Sequence, residues 1–175
     1  RKEKDNYIVE FIDFETFNIK STDTPNSDYK INDNYKTVWD KHPDKTIHKP
    51  FMLCATNQYG DIDTFITERC GKKYLDSRLK DYGIKKEKGK TPKTIIIYAH
   101  NAGYDIRFIE EHLSQLEKIQ SGGHSLICAS GKYMNFGKII NIEIRDSYKL
   151  ITSPLAGFAK MFNLKVQKEY MPYSL

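Results

Sequence analysis

Cysteine is scarce in this sequence and follows no recognisable pattern. Of 175 residues, only Cys54, Cys70 and Cys128 are cysteines. Their odd number and wide spacing fit neither a disulfide framework nor a Cys/His zinc site. We therefore expect reduced, mostly buried thiols and an intracellular, reducing compartment, with mitochondrial, cytoplasmic and viral settings all open.

Long apolar runs are missing as well. No segment approaches the roughly 20 apolar residues that a membrane-spanning helix needs, and no signal-peptide pattern follows the N-terminal RKEKDN. We expect no membrane partner. Because the chain opens on Arg1 without a methionine and closes on MPYSL, both ends read as cuts in something longer.

Arginine is rare, although the chain is basic overall. The 28 basic and 23 acidic residues leave a formal charge of +5, which favours an anionic partner while the acidic residues dilute any uniform field. Most of the positive charge is lysine, which suits attraction to a phosphate backbone better than bidentate reading of base edges. Sequence-specific recognition is therefore disfavoured. The arginines are Arg1, Arg69, Arg78, Arg107 and Arg145.

Hydrophobic residues make up 39% of the chain, enough for a single domain, residues 1–175, with one core. The predicted elements are a central strand at Tyr7–Phe14, a polar loop or insertion over 18–49, a hairpin over 50–67, a helix over 72–83, a buried strand at 94–99, a helix from about Tyr104 to Leu116, strands at 125–130, 132–137 and 138–146, and a short helix over 155–162. This order indicates the ribonuclease-H-like α/β fold, a mixed sheet flanked by helices whose first strand pairs in parallel with the fourth.

Two carboxylates lie at the end of the first strand. In the segment FIDFET, the two-residue period of a strand puts Asp13 and Glu15 on one face. At the end of an apolar strand they repel each other and lose solvent unless a cation joins them. Hard oxygen ligands of this kind suit Mg²⁺ or Mn²⁺. The alternative is a strand that simply ends with two carboxylates facing water.

A third carboxylate, Asp105, follows the buried strand after the turn HNAG. It lies where a parallel strand delivers residues to the carboxyl edge of the sheet, the usual place of chemistry in open α/β sheets. Alternatively, Asp105 is a helix-capping or first-turn aspartate favoured by the helix dipole.

The segments Asp13-x-Glu15-Thr16 and Asn101-Ala102-Gly103-Tyr104-Asp105 resemble, in order and context, the first two exonuclease motifs of family B DNA polymerases. His100 and the later RDSYKLITSPLAGFAKMFNLKVQK resemble more narrowly the protein-primed branch of viruses and linear plasmids. In that resemblance, Ser147-Tyr148 stands for a Ser/Thr-Leu single-strand-binding motif, with tyrosine in place of the usual leucine. The residues Lys168–Met171 stand for a Lys-x-x-hydrophobic motif. The resemblance runs from Tyr7 to about Met171, and the insertion is unmatched.

The resemblance implies a proofreading 3′-to-5′ exonuclease, with Mg²⁺ or Mn²⁺ held by Asp13, Glu15 and Asp105 and with Lys168 assisting phosphate chemistry. The implied partners are the 3′ end of single-stranded DNA, the remainder of the polymerase chain and a priming terminal protein. Phe108 at helical spacing is also consistent with ordinary core, and Lys168 with a solvated lysine. The residues implied to hold the last nucleotides are Thr16, His100, Asn101, Tyr104, Phe108, Ser147 and Tyr148.

The family's last exonuclease motif, Tyr-x-x-x-Asp, supplies a fourth carboxylate and is expected beyond Lys168. The same spacing at Tyr29–Asp33 and Tyr59–Asp63 precedes the second motif and cannot replace it. The exonuclease region as given is therefore expected to lack its C-terminal part and to have reduced or no activity. Two other hypotheses stay open: a catalytically inactive, polymerase-derived nucleic-acid-binding or structural subunit, and an exonuclease of the same fold that acts on RNA.

Overall fold

The computed structural model describes residues 7–23, 33–85, 89–122 and 125–165, with the backbone alone for 33–35. The described strands are β1 (Tyr7–Ile19), β2 (Ile47–Asn57), β3 (Ile62–Ile66), β4 (Ile84–Lys85), β5 (Thr94–Ala99), β6 (Ser114–Gln120), β7 (Leu126–Asn135) and β8 (Lys138–Asp146). The described helices are α1 (Asp33–Lys41), α2 (Cys70–Tyr82), α3 (Ala102–Asp105) and α4 (Phe158–Met161), with 3-10 turns at Ile106–Phe108, Glu110–His112, Ser147–Lys149 and Leu155–Gly157.

The strands of the described residues form one mixed sheet in the order β3-β2-β1-β5-β8-β7-β6, with β4 paired to β8. The central strands β1, β5 and β8 run parallel to one another, whereas the outer pairs are antiparallel. The parallel contact between β1 and β5 confirms the predicted pairing of the first strand with the buried strand TIIIYA. The predicted class, a mixed sheet flanked by helices, is therefore what the chain adopts.

The core lies between this sheet and α2. Alternate residues of β1 are buried, among them Ile12 and Phe14, and every second residue of β5 is buried as well. Helix α2 covers them with Leu75 and Leu79, which are almost inaccessible to solvent. Because strand side chains alternate between faces, the same register turns Phe11 and Asp13 toward the opposite, more open face.

Two segments differ from the sequence-based expectation. The polar stretch 18–49 is not all loop: β1 continues to Ile19 and pairs with the start of β2, and α1 lies between them. Stacking of Phe17 on Phe51, with ring centroids 4.4 Å apart, supports this extension of the β1–β2 pairing. A loop was predicted here because most residues of the stretch are polar.

The helix predicted from Tyr104 to Leu116 is wrong after its first turns. Ile109 has φ −121° and Leu113 is extended, and neither conformation is helical. In place of one long helix, the segment forms α3 and two 3-10 turns. Leu116 lies in β6, whose pairing with β7 replaces the predicted helix. The strands predicted at 125–130 and 132–137 form the single strand β7, because Gly131 stays in the ladder opposite Ile142.

None of the described helices combines the length and the apolar character needed to cross a bilayer.

A buried ion pair joins α2 to the central strand. Glu10 of β1 is fully buried, and Arg78 Nε lies 2.7 Å from its carboxylate. The hydroxyl of Tyr74 donates to the same carboxylate at 2.5 Å, and Arg78 also pairs with Asp63 at 2.7 Å. A buried carboxylate is tolerated only with such partners, so this network fixes α2 on the sheet.

Removing the arginine should therefore cost far more stability than removing an exposed cation of the same helix. For Arg78→Met we expect a loss of about 3–5 kcal/mol in the free energy of unfolding, because the Glu10 carboxylate stays buried without its cation. The matched control is Lys72→Met, which breaks a partly exposed pair with Asp76 and should cost less than about 1 kcal/mol. Urea unfolding measures both, and equal losses in the two variants would contradict the role of the buried pair.

Candidate active site

The parallel strands bring the predicted residues to one edge of the sheet. Because β1, β5 and β8 run in the same direction, their carboxyl ends meet there. The register pairs Phe11 with Tyr98 and Ala99 with Asp146. Asp13 therefore lies just past the last β1–β5 pair, beside the turn that leads from β5 into α3.

Asp105 packs against the strand that carries the other two carboxylates. It is 4% exposed, and its carboxylate accepts a hydrogen bond from the backbone N–H of Phe14. Burial, followed by repulsion from Asp13, raises the pKa of Asp105 to about 7. A smaller contribution in the same direction comes from Asp146. Near neutral pH both forms of the Asp105 carboxyl are therefore populated, and a nearby cation would favour the ionised form.

The donor chemistry fits a hard divalent cation only in part. Asp13 is near enough to Asp105 for its charge to raise the pKa of that carboxyl, and Glu15 follows two residues after Asp13 on the same strand. Within the described residues, however, no three acidic, histidine or cysteine side chains converge closely enough to hold one metal ion. Asp13 and Asp105 are therefore the pair that could hold a cation, with Glu15 as the neighbouring candidate.

Asp146 at the end of β8 is a site residue that the sequence reasoning missed. It is 5% exposed, and its Oδ1 accepts from the backbone N–H groups of Asn101 and Tyr148, both at 2.9 Å. One carboxylate oxygen thereby joins the turn after β5 to the turn after β8. The signal was present in the sequence, since Asp146 follows the alternating apolar pattern of KIINIEIRD at the end of a predicted strand.

The turn between β5 and α3 has an unusual backbone. Asn101 has φ 65°, in the left-handed region that asparagine tolerates better than most residues. This conformation reverses the chain directly after β5, so that α3 starts at once and Asp105 returns toward β1. The side chain of Asn101 is exposed at the same edge.

A chain of hydrogen bonds connects three elements beside the carboxylates. The Tyr104 hydroxyl lies 2.8 Å from Thr16 Oγ1 and 3.0 Å from His48 Nδ1. It thus joins α3 to β1 and β2. Thr16 and Tyr104 were predicted site residues, whereas His48 was missed because it falls in the stretch expected to be a loop.

A second cluster surrounds His100. Ser147 Oγ donates to the carbonyl of Ala99 at 3.3 Å, so it accepts from His100 Nδ1 at 3.2 Å. This assignment leaves His100 Nε2 as an acceptor. The Nε2 atom is buried and has no hydrogen-bond partner among the described residues. The rings of Tyr148 and Phe158 pack edge-on against the imidazole, at centroid distances of 5.3 and 5.4 Å.

An open cleft of about 680 Å³ adjoins these residues. Asp13, His100 and Ser147 line it, and the rest of the lining is mostly apolar. Phe11 and Tyr98 stack on each other along its floor, 5.7 Å between ring centroids. The other apolar residues of the lining include Ile62, Leu150, Ile151, Leu155 and Phe158.

Of the predicted site residues that the structure describes, only Asp13, His100 and Ser147 line this cleft. Phe108 packs on Phe14 with ring centroids 5.1 Å apart and on Tyr104 at 5.4 Å, so it supports the core and borders a different, polar cavity. Lys168 lies outside the described residues, as does the motif that runs from it to Met171.

The raised pKa of Asp105 predicts an unusual dependence of stability on pH. With divalent cations chelated, we expect Asp105→Asn to be more stable than the wild type at pH 8, by on the order of 2–4 kcal/mol. The stability that the protonated carboxyl contributes is complete below about pH 4 and is lost as the pH rises through about 7. The difference should therefore disappear near pH 4.

Urea unfolding between pH 4 and pH 8 measures this difference. The control is Asp40→Asn, which alters an exposed carboxyl on α1 and should change stability by less than about 0.5 kcal/mol. A gain for Asp105→Asn that is the same at every pH would contradict the assignment.

The model of the family "DNA polymerase type B, organellar and viral" matches residues 88–175, half of the chain. No curated protein matches the sequence.

Several solved structures share the fold. Phi29 DNA polymerase in complex with primer-template DNA and incoming nucleotides superposes with a TM-score of 0.60 and 16% identity, over 96% of this chain and 25% of that one. The same polymerase with single-stranded DNA gives 0.58 and 15%, over 95% and 25%. Its orthorhombic crystal form gives 0.59 and 16%, over 97% and 25%.

This chain thus spans about a quarter of the length of those polymerases. At such identities the likeness establishes the fold, and it confirms the predicted fold class. The family model covers the turn with Asp105, the strand that ends in Asp146 and the segment beyond. The chain belongs to the organellar and viral type B DNA polymerases.

Proposed function

We propose that this chain is a 3′-to-5′ exonuclease domain of a DNA polymerase and removes nucleotides from a single-stranded 3′ end. The proposal depends on the pair Asp13 and Asp105: Asp13 lines an apolar cleft and, after burial, is the main cause of the raised pKa of the buried Asp105. Folding alone gains nothing from two repelling carboxylates, one of them buried. Sites with such perturbed carboxyls are candidates for catalysis.

Asp13, Asp105 and Glu15 would hold Mg²⁺ or Mn²⁺, which when bound polarises the phosphate and lowers the pKa of a water. The protein's own part is positional. The Phe14 N–H orients the carboxylate of Asp105, and Asp146 holds the two turns that flank it.

The cleft suits the terminal bases of a single strand. Its apolar lining can accommodate any base face, and exposed aromatic rings such as Phe11 stack on bases without preference. The unpartnered Nε2 of His100 can accept from a nucleotide hydroxyl or amino group. Ser147 and Tyr148, which fix that ring, and Asn101 on the exposed turn belong to the same proposed contact surface.

The partner is proposed to be DNA because phi29 DNA polymerase, which shares the fold, has been solved with single-stranded DNA. A larger polymerase chain around this domain, proofreading within it, and priming by a terminal protein belong to the same proposal. Lys168 is proposed to assist at the phosphate.

One observation favours a second candidate, a nucleic-acid-binding domain without catalysis. In the described part of the chain the three predicted ligands do not form one metal-binding group. Such a domain would bind single-stranded DNA through the same cleft and leave it intact. The two candidates differ in cleavage and agree on binding.

A cleavage assay separates them. A polymerase chain containing these residues, given 5′-labelled single-stranded DNA and Mg²⁺, should shorten the DNA from its 3′ end. Asp13→Ala with Glu15→Ala should lower the rate by at least about a hundredfold, because the cation loses ligands while the fold keeps its core. The exposed pair Asp40→Ala with Asp44→Ala is the charge-matched control and should keep the full rate. Binding of DNA without cleavage by the wild type would favour the second candidate.

The bridge formed by Tyr104 can be tested separately. Tyr104→Phe keeps the ring that packs on Phe108 but loses the hydroxyl that joins Thr16 and His48. We expect roughly tenfold slower degradation, because misplacing groups that position the strand is costly, with little change in melting temperature. Unchanged degradation would remove Tyr104 from the proposed site. Tyr82→Phe, on α2, is the matched control.

A further inference from the structure

A second cavity, polar and about 510 Å³ in volume, lies on the other side of the Tyr104–Phe108 pair. The start of β2, the start of α2 and the turns after Asp105 enclose it. It shares Phe108 and His48 with the surroundings of the candidate active site. Its basic lining residues are His48, Lys49, Arg69, Lys72, Arg107 and His112, and its acidic ones are Glu68 and Glu111.

Most of these basic groups already have carboxylate partners. Lys49 pairs with Glu68 at 2.5 Å, Lys72 with Asp76 at 2.8 Å, and His112 lies 3.4 Å from Glu111.

The two arginines differ from the other cations. Among the described residues neither Arg69 nor Arg107 has an ion pair, and both are exposed. The guanidinium carbon of Arg107 lies 5.8 Å from the centroid of the Tyr104 ring. Two guanidinium groups without carboxylates in one cavity are available to an anion, and guanidinium geometry matches phosphate.

The segments that carry the two arginines pack closely against each other. A Cβ at Gly71 would lie 2.2 Å from the Phe108 carbonyl oxygen, so only glycine lets the first turn of α2 approach the turn that carries Arg107. Helix α2 has no side-chain cap and no acidic residue in its first turn. Its positive end therefore adds to the charge of the arginines, although it would not make a site alone.

We propose that this cavity binds a backbone phosphate of the single strand whose 3′ end lies at Asp13 and Asp105. Arg107 follows Asp105 by two residues, so their Cα atoms are no more than about 7 Å apart. A strand can therefore reach both places at once. Contacts to a phosphate carry no sequence information, so the subsite increases affinity for a strand of any sequence. This inference rests on the proposed function, because it takes single-stranded DNA as the ligand.

Binding of a labelled oligothymidylate in EDTA, followed by fluorescence anisotropy over a range of salt concentrations, tests the subsite without catalysis. Each lost phosphate contact should reduce the slope of log affinity against log salt by about 0.7 for a single strand. For Arg69→Ala with Arg107→Ala we expect a slope reduced by about 0.7–1.4 and binding roughly tenfold weaker at low salt. Arg69→Lys with Arg107→Lys should keep most of the slope, because it keeps the charges.

The charge-matched control is Lys132→Ala with Lys138→Ala, near the end of the β7–β8 hairpin that lies farthest from Asp146. It should leave the slope within about 0.3 of the wild type. An unchanged slope in the arginine variant, or an equal loss in the lysine variant, would overturn the subsite.

The two proposals fail in different ways. If the wild type binds DNA, the arginine variant loses slope, and Mg²⁺ brings no cleavage, the subsite stands and the exonuclease proposal falls. If the wild type does not bind single-stranded DNA at all, both fall. Circular dichroism of the arginine variants should match the wild type, since neither side chain is buried or ion-paired in the described structure.

Discussion

The parallel pairing of β1, β5 and β8 is the constraint on which the candidate site depends. Their common direction brings Asp13 of β1, the turn at Asn101 after β5 and Asp146 at the end of β8 to one edge. Asp146 then ties two of these ends together through backbone N–H groups. On the opposite face, the buried contact of Arg78 with Glu10 holds α2 against the same strands.

The site is arranged at a cost to the folded state. Asp105 is buried near Asp13, and burial together with repulsion from Asp13 raises its pKa to about 7. Local conflicts of this kind are expected where a sequence serves function rather than stability. The left-handed Asn101 is a second such feature, since a residue with a side chain adopts that backbone at some cost.

The central strands, the hairpin and α2 could be predicted from the sequence, because strand alternation and helical spacing are local signals. Asp13 lies on the first strand as predicted, but β1 runs on to Ile19, so Asp13 does not end it. Sequence reasoning missed His48 and Asp146. His48 lies where polar composition concealed the extension of β1 and β2, which depends on pairing between distant segments. Asp146 acts through backbone groups of two turns, and such partners cannot be read from side-chain patterns. The helix expected beyond Tyr104 failed because pairing of β6 with β7 overrode helical spacing.

Asp13 and Asp105 are proposed to form a divalent-cation site at the edge of the sheet. Diffraction from crystals soaked in Mn²⁺, with anomalous differences recorded near the manganese edge, would reveal a cation bound there. We expect an anomalous peak bonded to carboxylate oxygens of both residues, which is absent from crystals of Asp105→Asn. Ordered Mn²⁺ elsewhere in the domain, with no peak between these two carboxylates, would contradict it.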